Sequence, residues 1–194
     1  MIKVLIVYGT RYGATAMTSE EIADVLRQEG FDVKVVNLKN EKITDISKYD
    51  LLVVGSGIRV GKWTKESQKF IKKFQIELAN KQVAIFVCCG AKFPLEEKTD
   101  KEKEIENARM KYLEEKIAEY DLQPIAMGLF GGVYNFNKMG WFFRKTMSKV
   151  RSQLKEAEVK QTKPGLFDTR DLGSIRGWAK EVAQKVKAKF YTNF

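Results

Sequence analysis

The chain has 194 residues, 44% of them hydrophobic, and its 35 Lys and Arg against 25 Asp and Glu give a formal charge of +10. That length supports a full core, and no Pro/Gly/Ser-rich linker divides it. With no histidine and only the adjacent Cys88 and Cys89, imidazole bases, Ser-His and Cys-His nucleophiles, His-containing metal sites and a disulfide framework are excluded.

Lys3 to Tyr8 is a nearly unbroken apolar run and reads as a buried strand. It starts so early that a signal peptide has no room, and a reducing cytoplasm is the expected compartment. A turn, Gly9 to Thr15, leads into a helical pattern over Ala14 to Glu29 that Gly30 ends. Val33 to Asn37 reads as the second strand and, after the polar stretch Asn40 to Asp50, Leu51 to Val54 as the third. Thr64 to about Ala79 reads as one helix, with Phe70, Ile71 and Phe74 at helical spacing. Val83 to Cys88 is the fourth strand, and Cys88 and Cys89 at its end read as small buried hydrophobes rather than a redox pair. With Cys89 this is the longest apolar run, seven residues, far short of the roughly 20 that span a membrane. Asp100 to Tyr120 is a charged helix with Ile105, Tyr112, Leu113 and Ile117 inward; Pro124 to Phe130 is the fifth strand, and a last helix runs from about Leu172 or Ser174 to Lys189. Strands alternating with helices imply an α/β fold whose parallel sheet is covered on both faces.

The first turn carries the most chemistry. A buried strand emptying into a glycine- and hydroxyl-bearing loop at a helix N-terminus aims backbone N–H groups and the positive helix end at one point, where an anion fits. Thr10 and Thr15 add hydroxyls, and Gly13 lets backbone approach closely. The alternative is an ordinary βα turn that contains two threonines. The triphosphate loop G-x-x-x-x-G-K-[ST] is absent, and Gly55, Gly57 and Gly61 miss the dinucleotide spacing by one residue. A phosphomonoester held without metal fits best, and flavin mononucleotide (FMN) is the common ligand of that sort. The loops at Ser56 to Gly61 and Gly90 to Phe93 would meet this turn at the carboxyl edge of the sheet.

These residues resemble the flavodoxin superfamily, whose phosphate loop reads T-x-T-G-x-T. Thr10-Arg11-Tyr12-Gly13-Ala14-Thr15 matches except at Tyr12, which keeps a hydroxyl on a much larger side chain. More narrowly, Gly57-Ile58-Arg59-Val60-Gly61 with Trp63, then Phe70-Ile71-Lys72-Lys73, and Asp168-Thr169-Arg170 before the last helix, resemble the quinone-dependent protoporphyrinogen IX dehydrogenase branch. The resemblance covers essentially the whole chain. It implies a flavodoxin-like three-layer domain over residues 1–194, with a five-stranded parallel sheet in the order 2-1-3-4-5 and a basic, aromatic insertion at about 133–160. It also implies bound FMN, contacted by Thr10 to Thr15, by Ser56 to Gly61 with Trp63, and by Cys89, Gly90, Ala91, Lys92 and Phe93. Flavodoxin carriers usually present G-D and a tyrosine after strand four; here Gly90-Ala91-Lys92-Phe93 stands instead, leaving Trp63 and Phe93 as candidate ring contacts or as packing residues. By analogy the Gly57-Ile58 turn faces flavin N5, and Arg59 or Lys92 favours anionic reduced flavin.

Charge separates enzyme from carrier. Residues 138–194 hold fourteen basic and five acidic residues, nine of the ten excess charges. Flavodoxin-type carriers are typically acidic, whereas a basic face attracts an acidic redox protein, anionic lipid or a polycarboxylate substrate. On one helix, Met139, Phe142, Phe143, Met147, Val150 and Leu154 would form an apolar stripe, with Arg144, Lys145, Lys149 and Arg151 opposite and Trp141 among them. Trp141, Arg144 and Lys145 are thus candidates to meet a substrate, partner or membrane interface; an ordinary surface helix is the other reading. Nucleic acid is set aside for want of a binding motif. Two functions follow: an FMN-dependent dehydrogenase passing electrons from a porphyrinogen-like anion to a quinone, or an electron carrier between proteins. The resemblance and the basic segment favour the dehydrogenase.

Overall fold

The computed structural model describes residues 1–90 and 101–192. It begins with β1 (Lys3–Gly9), α1 (Ala14–Gln28), β2 (Asp32–Asn37), β3 (Leu51–Arg59) and a two-residue β4 (Lys62–Trp63). There follow α2 (Lys65–Lys73), α3 (Gln75–Ala79), β5 (Gln82–Cys88), α4 (Lys101–Arg109), α5 (Glu115–Glu119) and β6 (Ala126–Phe130). The last part holds β7 (Val133–Asn135), α6 (Trp141–Thr146), α7 (Ser148–Glu156), β8 (Gln161–Lys163), β9 (Leu166–Asp168) and α8 (Leu172–Thr192).

Apolar, β-branched runs form the central strands because both of their faces are buried. They pair in parallel in the order β2-β1-β3-β5-β6, with β4 added antiparallel to the end of β3. Counting the five parallel strands along the chain gives 2-1-3-4-5, the expected order. One face carries Val4, Ile6, Val53 and Phe86 against Ile22 and Leu26 of α1 and Val182 of α8. There Phe86, Phe130 and Trp178 meet edge-on or tilted at 5.7–6.1 Å. The other face buries Leu5, Val7, Leu52 and Ile85 against Phe70, Ile71, Phe74 and Leu113. Pairing of Gly9 with Ser56, Gly57 with Cys88, and Cys88 with Phe130 brings the carboxyl ends of four strands to one edge.

The structure departs from the predicted elements in four places. The helix expected over Thr64 to Ala79 is two, because Phe74 leaves helical geometry (φ −110°, ψ 22°) to bury its ring. The charged helix is interrupted by a π-helical turn over Met110–Glu114. The helix expected over 138–154 breaks at Met147 (φ −93°, ψ 12°). Its apolar stripe breaks with it: Met139 and Leu154 are buried, whereas Phe142 is 67% exposed and stacks edge-on against Trp141. Finally, β7, β9 and β8 form a small antiparallel sheet that carries no alternation signal, since each strand has three residues.

That sheet and α7 enclose their own cluster of Phe136, Met139, Leu154 and Phe167, and Tyr12 of the first loop packs against it. The oversized Tyr12 thus anchors the phosphate-type loop to this module. Thr169 clips the module to the segment after β6, and the adjoining Asp168–Arg170 pair braces it. Thr169 Oγ1 accepts from Gly132 N–H (3.1 Å) and donates to its carbonyl (2.9 Å), while Arg170 grips Asp168 through two bonds of 2.9 and 2.7 Å. Among the described residues no helix is long and apolar enough to cross a membrane.

Candidate functional site

At the carboxyl edge of the sheet lies a cleft with about 710 Å³ of empty space, its open mouth included. Its floor is the first loop. Thr10 Oγ1 accepts from Gly13 N–H at 3.1 Å, folding the loop back on itself. Gly13 caps α1 in the left-handed region (φ 104°), with open space where a side chain would stand. The first-turn amides of α1 have no acceptor within the helix, and its first turn contains no acid to compete for them. Thr15 is buried and lines the cleft, its hydroxyl beside the Cys88 thiol.

The second wall is Gly57, Ile58, Arg59 and Val60. A Cβ on Gly57 would come within 3.1 Å of Thr15 Oγ1, so glycine leaves room for the Thr15 side chain. Behind it a buried relay fixes the end of β3: Thr64 N–H donates to Ser56 Oγ (3.0 Å), Thr64 Oγ1 to Ser67 Oγ (2.9 Å), and Ser67 Oγ to the Gly55 carbonyl (2.8 Å). Val60 and Gly61 form the two-residue loop joining β3 to β4, both at positive φ (48° and 70°). Such hairpin turns favour Asn or Gly; a β-branched Val60, 81% exposed at the mouth of the cleft, holds backbone strain there.

Cys88, Cys89 and Gly90 form the third side. Burial pushes the Cys88 thiol up to about 12, partly offset by its hydrogen bond to Thr18 Oγ1 at 3.5 Å. It is a neutral thiol at physiological pH, not a nucleophile. The fourth side comes from the small module: Gly132, Val133, Tyr134, Met139 and Met147. Tyr134 reaches over Gly90, where a Cβ would stand 2.4 Å from its hydroxyl, and burial pushes its phenol above the usual range.

Sequence reasoning therefore named three sides and missed the fourth, for which β7 gave no signal beyond a lone aromatic. Of the predicted contacts, Thr10, Arg11, Tyr12, Ala14, Thr15, Gly57, Ile58, Arg59, Val60, Cys89 and Gly90 line the cleft. Gly13 shapes the loop, and Ser56 supports from behind. Gly61 completes the hairpin outside the lining. Trp63 lies outside the cleft as well: it is buried, and its Nε1 donates to the Tyr112 carbonyl at 2.8 Å, tying β4 to the π-helical turn. Ala91, Lys92 and Phe93 fall outside the described residues. Trp141, 78% exposed, and Arg144 and Lys145 sit on α6 beyond the mouth; Arg144 donates to the Met139 carbonyl at 3.2 Å.

The family model described as "Flavodoxin domain" matches residues 5–161. The chain belongs to the flavodoxin family. Among its relatives is the Escherichia coli (strain K12) "Protoporphyrinogen IX dehydrogenase [quinone]", 24% identical over 183 residues, covering 94% of this chain and 95% of that one. The flavodoxin of Maridesulfovibrio salexigens is 28% identical over 114 residues, covering 52% of this chain and 78% of that one. Among solved structures, a short-chain flavodoxin associated with a non-canonical PDU bacterial microcompartment superposes with a TM-score of 0.58 at 12% identity, over 96% of this chain and 99% of that one.

FMN is the cofactor of this family, and the cleft fits it. The Thr15 hydroxyl, the first-turn amides of α1 and the side-chain-free space at Gly13 are the groups that would hold its phosphate. A mostly apolar slot between Ile58, Val60 and Tyr134 suits a flat ring.

Proposed function

We infer that the chain is an FMN-dependent oxidoreductase that oxidises protoporphyrinogen IX, or a closely related anionic porphyrinogen, and passes the electrons to a quinone. The observation that carries this reading is the fourth wall of the cleft. The alignment with the E. coli dehydrogenase runs over nearly all of both chains. The module at residues 133–168, which supplies Tyr134, Met139 and Met147, is read as the family's insertion, converting an open flavin site into one with a substrate wall.

Bound FMN supplies hydride or single-electron acceptance. The residues of the chain hold and orient it: Thr10, Thr15 and the α1 amides at the phosphate, and the Gly57-Ile58 and Tyr134 walls at the ring. Flexible Met139 and Met147 offer an adaptable apolar surface for a substrate face. The exposed Trp141–Phe142 pair, with Arg144 and Lys145 beside it, suits an anionic membrane surface where a quinone dissolves. A steady-state assay tests the reading. FMN-loaded protein should form fluorescent protoporphyrin from protoporphyrinogen IX only when a quinone is added, and Met139→Ala with Met147→Ala should raise KM more than it weakens FMN. Porphyrin formation no faster than in free FMN would overturn it. The second reading, an electron carrier, draws on the flavodoxin relative and predicts stable flavin without porphyrinogen turnover.

A further inference from the structure

A second cleft adjoins the first, sharing Thr10, Arg11 and Arg59 with it, and has about 1100 Å³ of space counting its open mouth. It lies over the β2 side of the sheet, where Lys39 follows β2 and Lys62 and Lys65 flank Trp63. Five cationic side chains line it against one acid, Glu66. Some cations elsewhere on the surface are matched, among them Lys34 with Glu41, Lys116 with Glu119, Arg176 with Glu21, and Lys187 with Glu29. Among the described residues, Arg11, Lys39, Lys62 and Lys65 make no ion pair. Like charges gathered in a concavity repel one another and focus a positive potential there, a cost that an arriving anion removes.

The geometry points to a carboxylate subsite: this cleft holds the acid groups of the small molecule oxidised at the flavin, while the shared Arg11–Arg59 rim lets its apolar body extend into the first cleft. The inference rests on the oxidoreductase reading of the flavin cleft. It moves the charged contact of the substrate away from Arg144 and Lys145, on the module, to the opposite side of the phosphate loop. Carboxylates suit the cleft because lysines act as point charges, and several around one space match several acid groups on one flexible ligand.

The test is an equilibrium titration of FMN-loaded protein with coproporphyrin, a porphyrin polycarboxylate, and with its methyl ester, read from the flavin difference spectrum. The acid should bind at least about tenfold tighter than the ester, the worth of one charge-assisted contact, and raising salt from about 20 to about 200 mM should erode that preference. In Lys39→Gln/Lys62→Gln/Lys65→Gln the acid and ester should bind alike, with FMN affinity and melting temperature unchanged. A triple variant with the same number of lysines removed elsewhere, Lys155→Gln/Lys180→Gln/Lys189→Gln, should retain the preference. Equal binding of acid and ester by the native protein, or a preference that survives in the first variant, overturns the subsite. So does an oligoglutamate peptide that saturates the cleft while the porphyrin acid does not, which would assign it to an acidic protein. Failure of the oxidoreductase reading is distinct: the acid would bind with its preference intact while protoporphyrinogen leaves the flavin oxidised.

Discussion

Thr15 shows most directly how one side chain is committed to ligand rather than fold. Its buried hydroxyl faces only the weakly hydrogen-bonding Cys88 thiol, so a strong hydrogen bond forms there only when an anion arrives. Thr15→Val should change the apo-protein's unfolding free energy by less than about 1 kcal/mol and weaken FMN about tenfold; denaturant melts and flavin titration measure the two. Val60→Asn relieves positive-φ strain and should stabilise by about 1 kcal/mol, checked by the same melts. The Cys88 thiol has a pH signature. Its pKa is raised in the fold from 9.0 to about 12, so the folded state keeps a proton that the unfolded state loses. The contribution of this thiol is complete below pH 9 and is lost as pH rises from there toward 12, at up to about 1.4 kcal/mol per pH unit. Cys88→Ala should flatten the stability profile between about pH 9 and 10; an unchanged slope would mean the thiol is not desolvated. Thr10 and Thr15 were legible in the sequence because a strand, a hydroxyl loop and a helix start are all local. Trp63 was not. Its partner Tyr112 lies 49 residues away, and no local pattern distinguishes a ring-stacking tryptophan from one bonded to a distant carbonyl.

Among the elements, the parallel strands were legible for the same local reason: continuous β-branched runs between helical patterns leave few topologies open. The small sheet was hidden, because three-residue strands are held by partners rather than by propensity. Its clip makes a prediction of its own. Asp168 and Arg170 are nearly buried, with side chains 11% and 5% exposed. Removing one partner strands the other, so Arg170→Ala should destabilise by about 3 kcal/mol or more. Since this module supplies Tyr134 and Met147, the substrate wall should loosen first. Hydrogen exchange should therefore quicken in residues 133–168 before it quickens in β1 or β3, and uniform loss of protection would contradict a separately clipped module. The helix break at Met147 belongs here too. A continuous 138–154 helix would satisfy the apolar periodicity, but Met139 and Leu154 are drawn into the module's core while Phe142 is left outside. Periodicity identified the right residues and misplaced the partners.

For the whole molecule, net charge and fold point to different partners. The fold is that of flavodoxins, yet the +10 charge attracts anions, and five cationic side chains against one acid line the cleft beside the phosphate loop. Association with an anionic substrate should thus slow as ionic strength rises, whereas a neutral quinone acceptor should be indifferent to salt. The decisive experiment is anaerobic stopped-flow mixing of FMN-loaded protein with protoporphyrinogen IX, following the visible flavin band. The flavin should bleach rapidly in one phase whose second-order rate falls with salt, and the band should recover when a quinone is added. A flavin that stays oxidised in the presence of excess porphyrinogen would contradict the oxidoreductase reading and leave the chain as a carrier of electrons between proteins.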